Sequence, residues 1–263
     1  MSFMGKTGKT KNEDKISKTL INTNVYISFA DFILIISPSP FILFPSTITN
    51  SISVMLLPAV AESDANGDKK KISQTASLTV GTSLAMGILC VGLFLVYGND
   101  LGNIVFKSQM AGTYITILAW ICPFMYISTT VGSILNGMGK TTTTFIQHLI
   151  GLSIRLIFVV FLVPRLGILA YLWGTLASEL MVTLLHLLSL KKIINVEFYA
   201  NKELLLPIFF IFLSIGVSRS AQFLIKNIFP VPPLILLLIS CGILCLTYIG
   251  FLYLFEFKKF FKS

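Results

Sequence analysis

Seven stretches of about twenty apolar residues, separated by polar connectors, govern what this chain can fold into. A bilayer's hydrocarbon core is about 30 Å thick, and roughly 20 helical residues at about 1.5 Å each cross it. The stretches Phe41–Ala61, Ala76–Tyr97, Ala111–Leu135, Thr142–Val163, Ile168–Leu188, Leu204–Lys226 and Pro232–Leu254 have that length. Backbone polar groups in lipid must be satisfied internally, so these runs predict an all-α integral membrane protein. The composition agrees: 55% hydrophobic and 12% charged residues with a mean hydropathy of +0.86 exclude a soluble globular chain. The connectors Asn136-Gly137-Met138-Gly139 and Pro164-Arg165-Leu166-Gly167 carry helix stops and predict antiparallel hairpins.

A net charge of +9 would raise nucleic acid as a partner in a soluble protein, but here it marks loops beside anionic lipid. Counting alternate loops, Lys69, Lys70, Lys71, Lys140, Lys191, Lys192, Lys202, Lys258, Lys259 and Lys262 fall on one side, against Lys107, Arg165 and Lys226 on the other. The positive-inside rule puts the first set and the C-terminus in the cytoplasm. The tail with Lys6, Lys9, Lys11, Lys15 and Lys18 would then lie outside, against the rule, unless the short apolar segment Val25–Ile36 returns it. Residues 1–40 are therefore read as a basic tail with an uncertain apolar segment. Residues 41–190 form five spans, and residues 191–263 a loop, two further spans and a basic tail.

Charged residues inside the spans are the positions most open to a functional reading, because each is expensive in hydrocarbon unless paired or hydrated. Arg155 and Glu179 lie about ten residues before and about thirteen after the Pro164–Gly167 turn, so an antiparallel hairpin brings them to similar depth. His148 lies seven residues before Arg155 and His186 seven after Glu179, on the same helical faces. Read from that turn, the ladder Arg155, Glu179, His148, His186 is expected either to line a hydrated cavity or to clamp two helices. In the first case Arg155 meets a substrate phosphate and Glu179 balances it when the cavity is empty. In the second the pair is structural.

Arg219 lies close enough to a helix end to snorkel into the headgroups, or else joins Ser214, Ser218 and Gln222 in a polar stripe beside a lipid groove. Between Pro45 and Pro58 the first span is too polar to face lipid. Ser46, Asn50 and Ser53 are expected on one face, as a cavity wall, a lobe contact or interhelical glue. Gly137-Met138-Gly139-Lys140-Thr141 ends like a phosphate loop, but Ile134 stands where its first glycine belongs. The four cysteines fall in apolar runs, so no disulfide framework, metal site or cofactor is expected.

Several runs, taken in order, resemble a known family: Phe44-Pro45-Ser46-Thr47-Ile48-Thr49-Asn50-Ser51, Met55-Leu56-Leu57-Pro58-Ala59-Val60-Ala61-Glu62, Leu135-Asn136-Gly137-Met138-Gly139-Lys140-Thr141, Leu162-Val163-Pro164-Arg165-Leu166-Gly167-Ile168 and Tyr171-Leu172-Trp173-Gly174. Together they are similar to the polysaccharide transporter branch of the multidrug/oligosaccharidyl-lipid/polysaccharide (MOP) exporter superfamily. The resemblance covers Phe41 to the C-terminus. It implies about fourteen helices in two lobes with two appended helices, and passage of lipid-linked saccharide precursors across the membrane. This chain corresponds to the second lobe without its opening helix, plus the appended pair. The missing lobe would come from another chain or a second copy, unless the chain is a truncated product.

The resemblance also implies a basic residue at Arg155 and an uncharged polar residue where Glu179 stands. The expectation is therefore a flippase part rather than an enzyme, binding a lipid-linked saccharide through Arg155, Glu179, His148, Arg219 and Asn50. A cation-coupled drug antiporter of the same superfamily and a non-transporting membrane protein are the alternatives.

Overall fold

The computed structural model describes residues 46–194, 204–228 and 230–260, the last five of these as backbone alone. The tail through Pro45, including Val25–Ile36 and the start of the first expected span, lies outside the described residues, as do Lys202 and Lys262. All the regular structure described is helical: α1 (Ser46–Ala65), α2 (Lys69–Val105), α3 (Gln109–Leu118), α4 (Cys122–Gly137), α5 (Thr141–Ile157), α6 (Val163–Leu166), α7 (Ile168–Ile193), α8 (Leu206–Ile228) and α9 (Pro233–Phe260).

Among the described residues, six segments are long and apolar enough to cross a membrane: Lys69–Val105, Gln109–Gly137, Thr141–Leu166, Ile168–Ile193, Leu206–Ile228 and Pro233–Phe255. They match six of the seven expected spans. The segment expected as the first span is helical as α1 but is not among the six. Six hydroxyl or amide side chains from Ser46 to Ser53 and the acids Glu62 and Asp64 near its end keep its described part polar. Two spans are compound. A 3₁₀ turn at Ala119–Ile121 joins α3 to α4, where Pro123 at the helix start withholds a backbone donor. A π turn at Phe158–Leu162 joins α5 to α6.

Local chemistry sets the helix ends. The Asp68 carboxylate accepts from the Lys71 amide at 3.0 Å to start α2, and the Ser108 hydroxyl caps α3. Both predicted turns reverse at a left-handed glycine, Gly139 (φ 72°) and Gly167 (φ 65°).

Helix α2 is the hub, packed by α1, α3, α4, α8 and α9. Its 37 residues reach about 55 Å, well beyond the hydrocarbon thickness. One apolar cluster joins Leu56 and Val60 of α1, Ile72 and Ala76 of α2, Ile134 and Leu135 of α4, and Leu190 of α7. Lys69, Lys70, Lys71, Lys140, Lys191 and Lys192 therefore share one end of the bundle. Lys107 and Arg165 end the opposite runs of the same helices. A second cluster holds Phe94, Tyr97, Cys122, Tyr126, Ile211, Leu237 and Leu244, seating α8 and α9 on the far half of α2. There the Tyr248 hydroxyl donates to the Ala85 carbonyl at 2.9 Å.

Helix α5 is peripheral: it leans on α7, and only 17% of the apolar window of Thr141–Leu166 is buried, against 61% for Gln109–Gly137.

Candidate functional site

The α5–α7 hairpin is held by a ladder of polar and small residues. Next to the Gly167 turn, Gly174 lets the Phe158 side chain against the α7 backbone: a Cβ there would lie 2.5 Å from the Phe158 Cβ. One rung further, Arg155 Nη2 donates to Glu179 Oε1 at 3.0 Å, with side chains 30% and 23% exposed. The Arg155 Nε–H is buried without an acceptor among the described residues. Below it the Ser178 hydroxyl donates to the Gly151 carbonyl at 2.8 Å, across a contact where a Cβ on Gly151 would lie 2.4 Å from Val182 Cγ2. The His148 and His186 rings then meet edge to face at 5.1 Å between centroids. Beside them Gln147 Nε2 donates to the Leu185 carbonyl at 3.1 Å and to the Ser189 hydroxyl at 2.6 Å.

The ladder expected from sequence is thus assembled as two pairs, Arg155 with Glu179 and His148 with His186. His148 is exposed, whereas His186 is fully buried against α4. Thr183 fixes that side of α7, its hydroxyl lying 2.8 Å from the Phe124 and Glu179 carbonyls. Gln147 carries two interhelical hydrogen bonds that sequence reading missed. It sits beside His148 in the apolar run after Phe145, which is the available signal.

Arg219 keeps a side chain 49% exposed near its helix end, with its head held by neighbouring groups. Its guanidinium carbon lies 4.9 Å from the centroid of the Tyr97 ring. Its amines donate to the Val96 carbonyl at 2.8 Å and to Gln222 Oε1 at 3.0 Å, and Asp100 approaches to 4.0 Å. Ser214 and Ser218 are buried instead of lining a groove. Ser218 donates to the Ser240 carbonyl at 2.6 Å, so at the 2.7 Å contact with Tyr97 the phenol must be the donor. Arg219, Tyr97, Ser218 and Ser240 together fasten α8 and α9 to α2. No local spacing announces this, because the partners across helices are 22 to 123 positions apart.

Asn50 also departs from expectation, being exposed while Ser46 and Ser53 are buried. The buried stripe of α1 is Ser46, Thr49, Ser53, Leu56, Val60 and Ser63. At about 100° per residue Asn50 sits about 40° to one side of Ser46, and Thr49 about 60° to the other, so the apolar residues Leu56 and Val60 draw the stripe away from Asn50. That stripe packs on α4. Two of its four hydroxyls are spent on their own helix, Thr49 donating to the Ser46 carbonyl and Ser63 to the Ala59 carbonyl, each at 2.9 Å.

No protein-family model matches the chain, and no solved structure matches it. It is similar to the protein named stage V sporulation protein B of Bacillus subtilis (strain 168), with 24% identity over 155 residues, 58% of this chain. The match takes in 30% of that relative's length.

Proposed function

We propose that this multi-pass membrane protein is the later part of a MOP-superfamily flippase that passes lipid-linked oligosaccharide or peptidoglycan precursors across a cell membrane, in the service of sporulation or cell-wall assembly. The likeness to stage V sporulation protein B, the ordered motifs around Gly139 and Gly167, and the six apolar helices support this reading. The single observation that carries it is the Arg155–Glu179 pair with its orphaned Arg155 Nε–H. A guanidinium at membrane depth with a donor to spare suits a phosphate oxygen, and Glu179 holds it until that oxygen arrives. His148 and Arg219 are assigned to the headgroup path, and Asn50, exposed on α1, to the contact with the other lobe.

In this reading the chain catalyses no covalent step, its lysine-rich end and C-terminus are cytoplasmic, and a further lobe completes the cleft. Alternating access then follows from rocking of the two lobes about the substrate.

The test is translocation of a fluorescent polyprenyl-pyrophosphoryl saccharide in membranes containing the full chain and its co-purifying partner. Arg155→Ala should lower the rate by at least about tenfold, the loss of one charge-assisted hydrogen bond. Full transport by the double variant Arg155→Leu, Glu179→Leu would end the proposal. Competition by a cationic drug in place of the saccharide would favour the antiporter.

A further inference from the structure

His186 is the one imidazole of the chain's two that is fully buried. Its Nδ1 lies 2.8 Å from the Val182 carbonyl oxygen. A carbonyl can only accept, so Nδ1 carries the hydrogen and the neutral ring keeps its basic lone pair on Nε2. That Nε2 is buried with no hydrogen-bond partner among the described residues. It faces α4 at Gly132, where a Cβ would lie 3.1 Å from it. A buried acceptor left unpaired is a standing penalty unless another state of the protein satisfies it. A side chain at this position would crowd the ring, which would have to give by a few tenths of an ångström. On the open side stands the exposed His148, its ring in edge contact with that of His186.

We infer that His186 Nε2 is a proton-binding site, fed from the aqueous side by His148, and that its occupation parts α7 from α4 at Gly132. The surroundings favour that outcome. α4 carries only Cys122 and Tyr126 as titratable groups, both packed in the α2 cluster, and α3 carries only Tyr114. α5 offers His148 and Arg155, the latter already on Glu179. On α7 itself, Glu179 lies about two turns away, and Lys191 and Lys192 project exposed at the helix end. No carboxylate on the packed elements faces the ring among the described residues. A proton on Nε2 therefore creates a charge with no counterion and an N–H with no acceptor, and both are relieved only when the α4–α7 seam admits water. On the transport reading above, on which this last step rests, that seam couples a proton gradient to the rocking of the lobe.

The chain's two histidines make the site directly observable. The full chain with ¹⁵N-labelled imidazoles is reconstituted in phosphatidylethanolamine/phosphatidylglycerol vesicles, and its nitrogen spectra are followed from alkaline to acid pH, with His148→Gln assigning the signals. Opening is read in parallel from maleimide labelling of Ser133→Cys, next to Gly132. Each pH compares the parent with His186→Asn, whose amide nitrogen can take the place of Nδ1 at the Val182 carbonyl, so that thiol ionisation cancels.

The expected result is a Nδ1–H tautomer that gains a proton on Nε2 in acid, with labelling at least about tenfold faster than in His186→Asn. A His186 that stays neutral down to the unfolding pH, or equal labelling in the two chains, overturns the proposal whatever the chain carries. A protonated, opening His186 in a chain that moves no saccharide overturns the transport reading and leaves the proton site standing.

Discussion

Cutting the Arg155–Glu179 rung one side at a time separates the energy of the pair from the penalty of a stranded charge. At 3.0 Å and an effective dielectric near 20, the Coulomb attraction is about 5 to 6 kcal/mol. Desolvation of the two ions offsets most of it, since they retain only 30% and 23% of their side-chain exposure. Removing one partner leaves the other half-buried and alone, which costs about 3 to 5 kcal/mol in a fully buried pair. Partial hydration brings that down here, so Glu179→Leu should destabilise by about 2 to 3 kcal/mol and Arg155→Leu by about 2. Glu179→Leu is the worse because it strands a guanidinium whose Nε–H already lacks a partner. The double variant removes both charges and that orphan, and should lie within about 1 kcal/mol of the parent, a coupling near 3 kcal/mol. Reversible unfolding of all four chains in bicelles measures the cycle. Single-variant costs that add to within about 0.5 kcal/mol would refute the claim that the two groups share one electrostatic environment.

Gly87→Ala should drive α2 and α4 apart, because a Cβ there would lie 2.4 Å from the Pro123 Cα, which cannot swing aside; a loss of about 1 to 3 kcal/mol in the same unfolding assay is expected, while Gly216→Ala, with nothing within 4 Å, should lose none. Ser218→Ala strands the Tyr97 hydroxyl and frees the Ser240 carbonyl, so the α8–α9 hairpin should become the first part cleaved by protease, with a loss of about 1 to 2 kcal/mol that Tyr97→Phe added to it partly restores. Cysteines placed at Lys70 and Lys191 should react with an impermeant thiol reagent from the same side of sealed vesicles, since both sit at one end of the bundle; opposite sides would overturn the helix order described here.

Much of this arrangement is legible in the residues and some of it is not, for reasons that can be named. Six spans announce themselves because lipid selects on hydropathy, and Gly139 and Gly167 announce the hairpins because only glycine reverses a helix end cheaply. The α5–α7 ladder is readable because partners flanking one tight turn are fixed by counting rise per residue. Hydropathy reports only what lipid touches, however, so it marks Ala76–Tyr97 where the helix runs on from Lys69 to Val105. Asn50 lies off the buried stripe because Leu56 and Val60, rather than the polar residues, set its axis. The Arg219 network was invisible, its partners lying on helices whose neighbourhood no local spacing dictates.

The uncommon length of α2 has a mechanical consequence. A rod that outreaches its lipid slab stands proud of it, and any tilt displaces the protruding tips much farther than the waist. Since α8 and α9 are lashed to it at Tyr97 and Ala85, they swing with the mast as one rigging, while α5, moored chiefly to α7, is left behind. The natural shear line of the molecule therefore runs between α2 and the α5–α7 hairpin, along the flank of α4 where His186 is lodged.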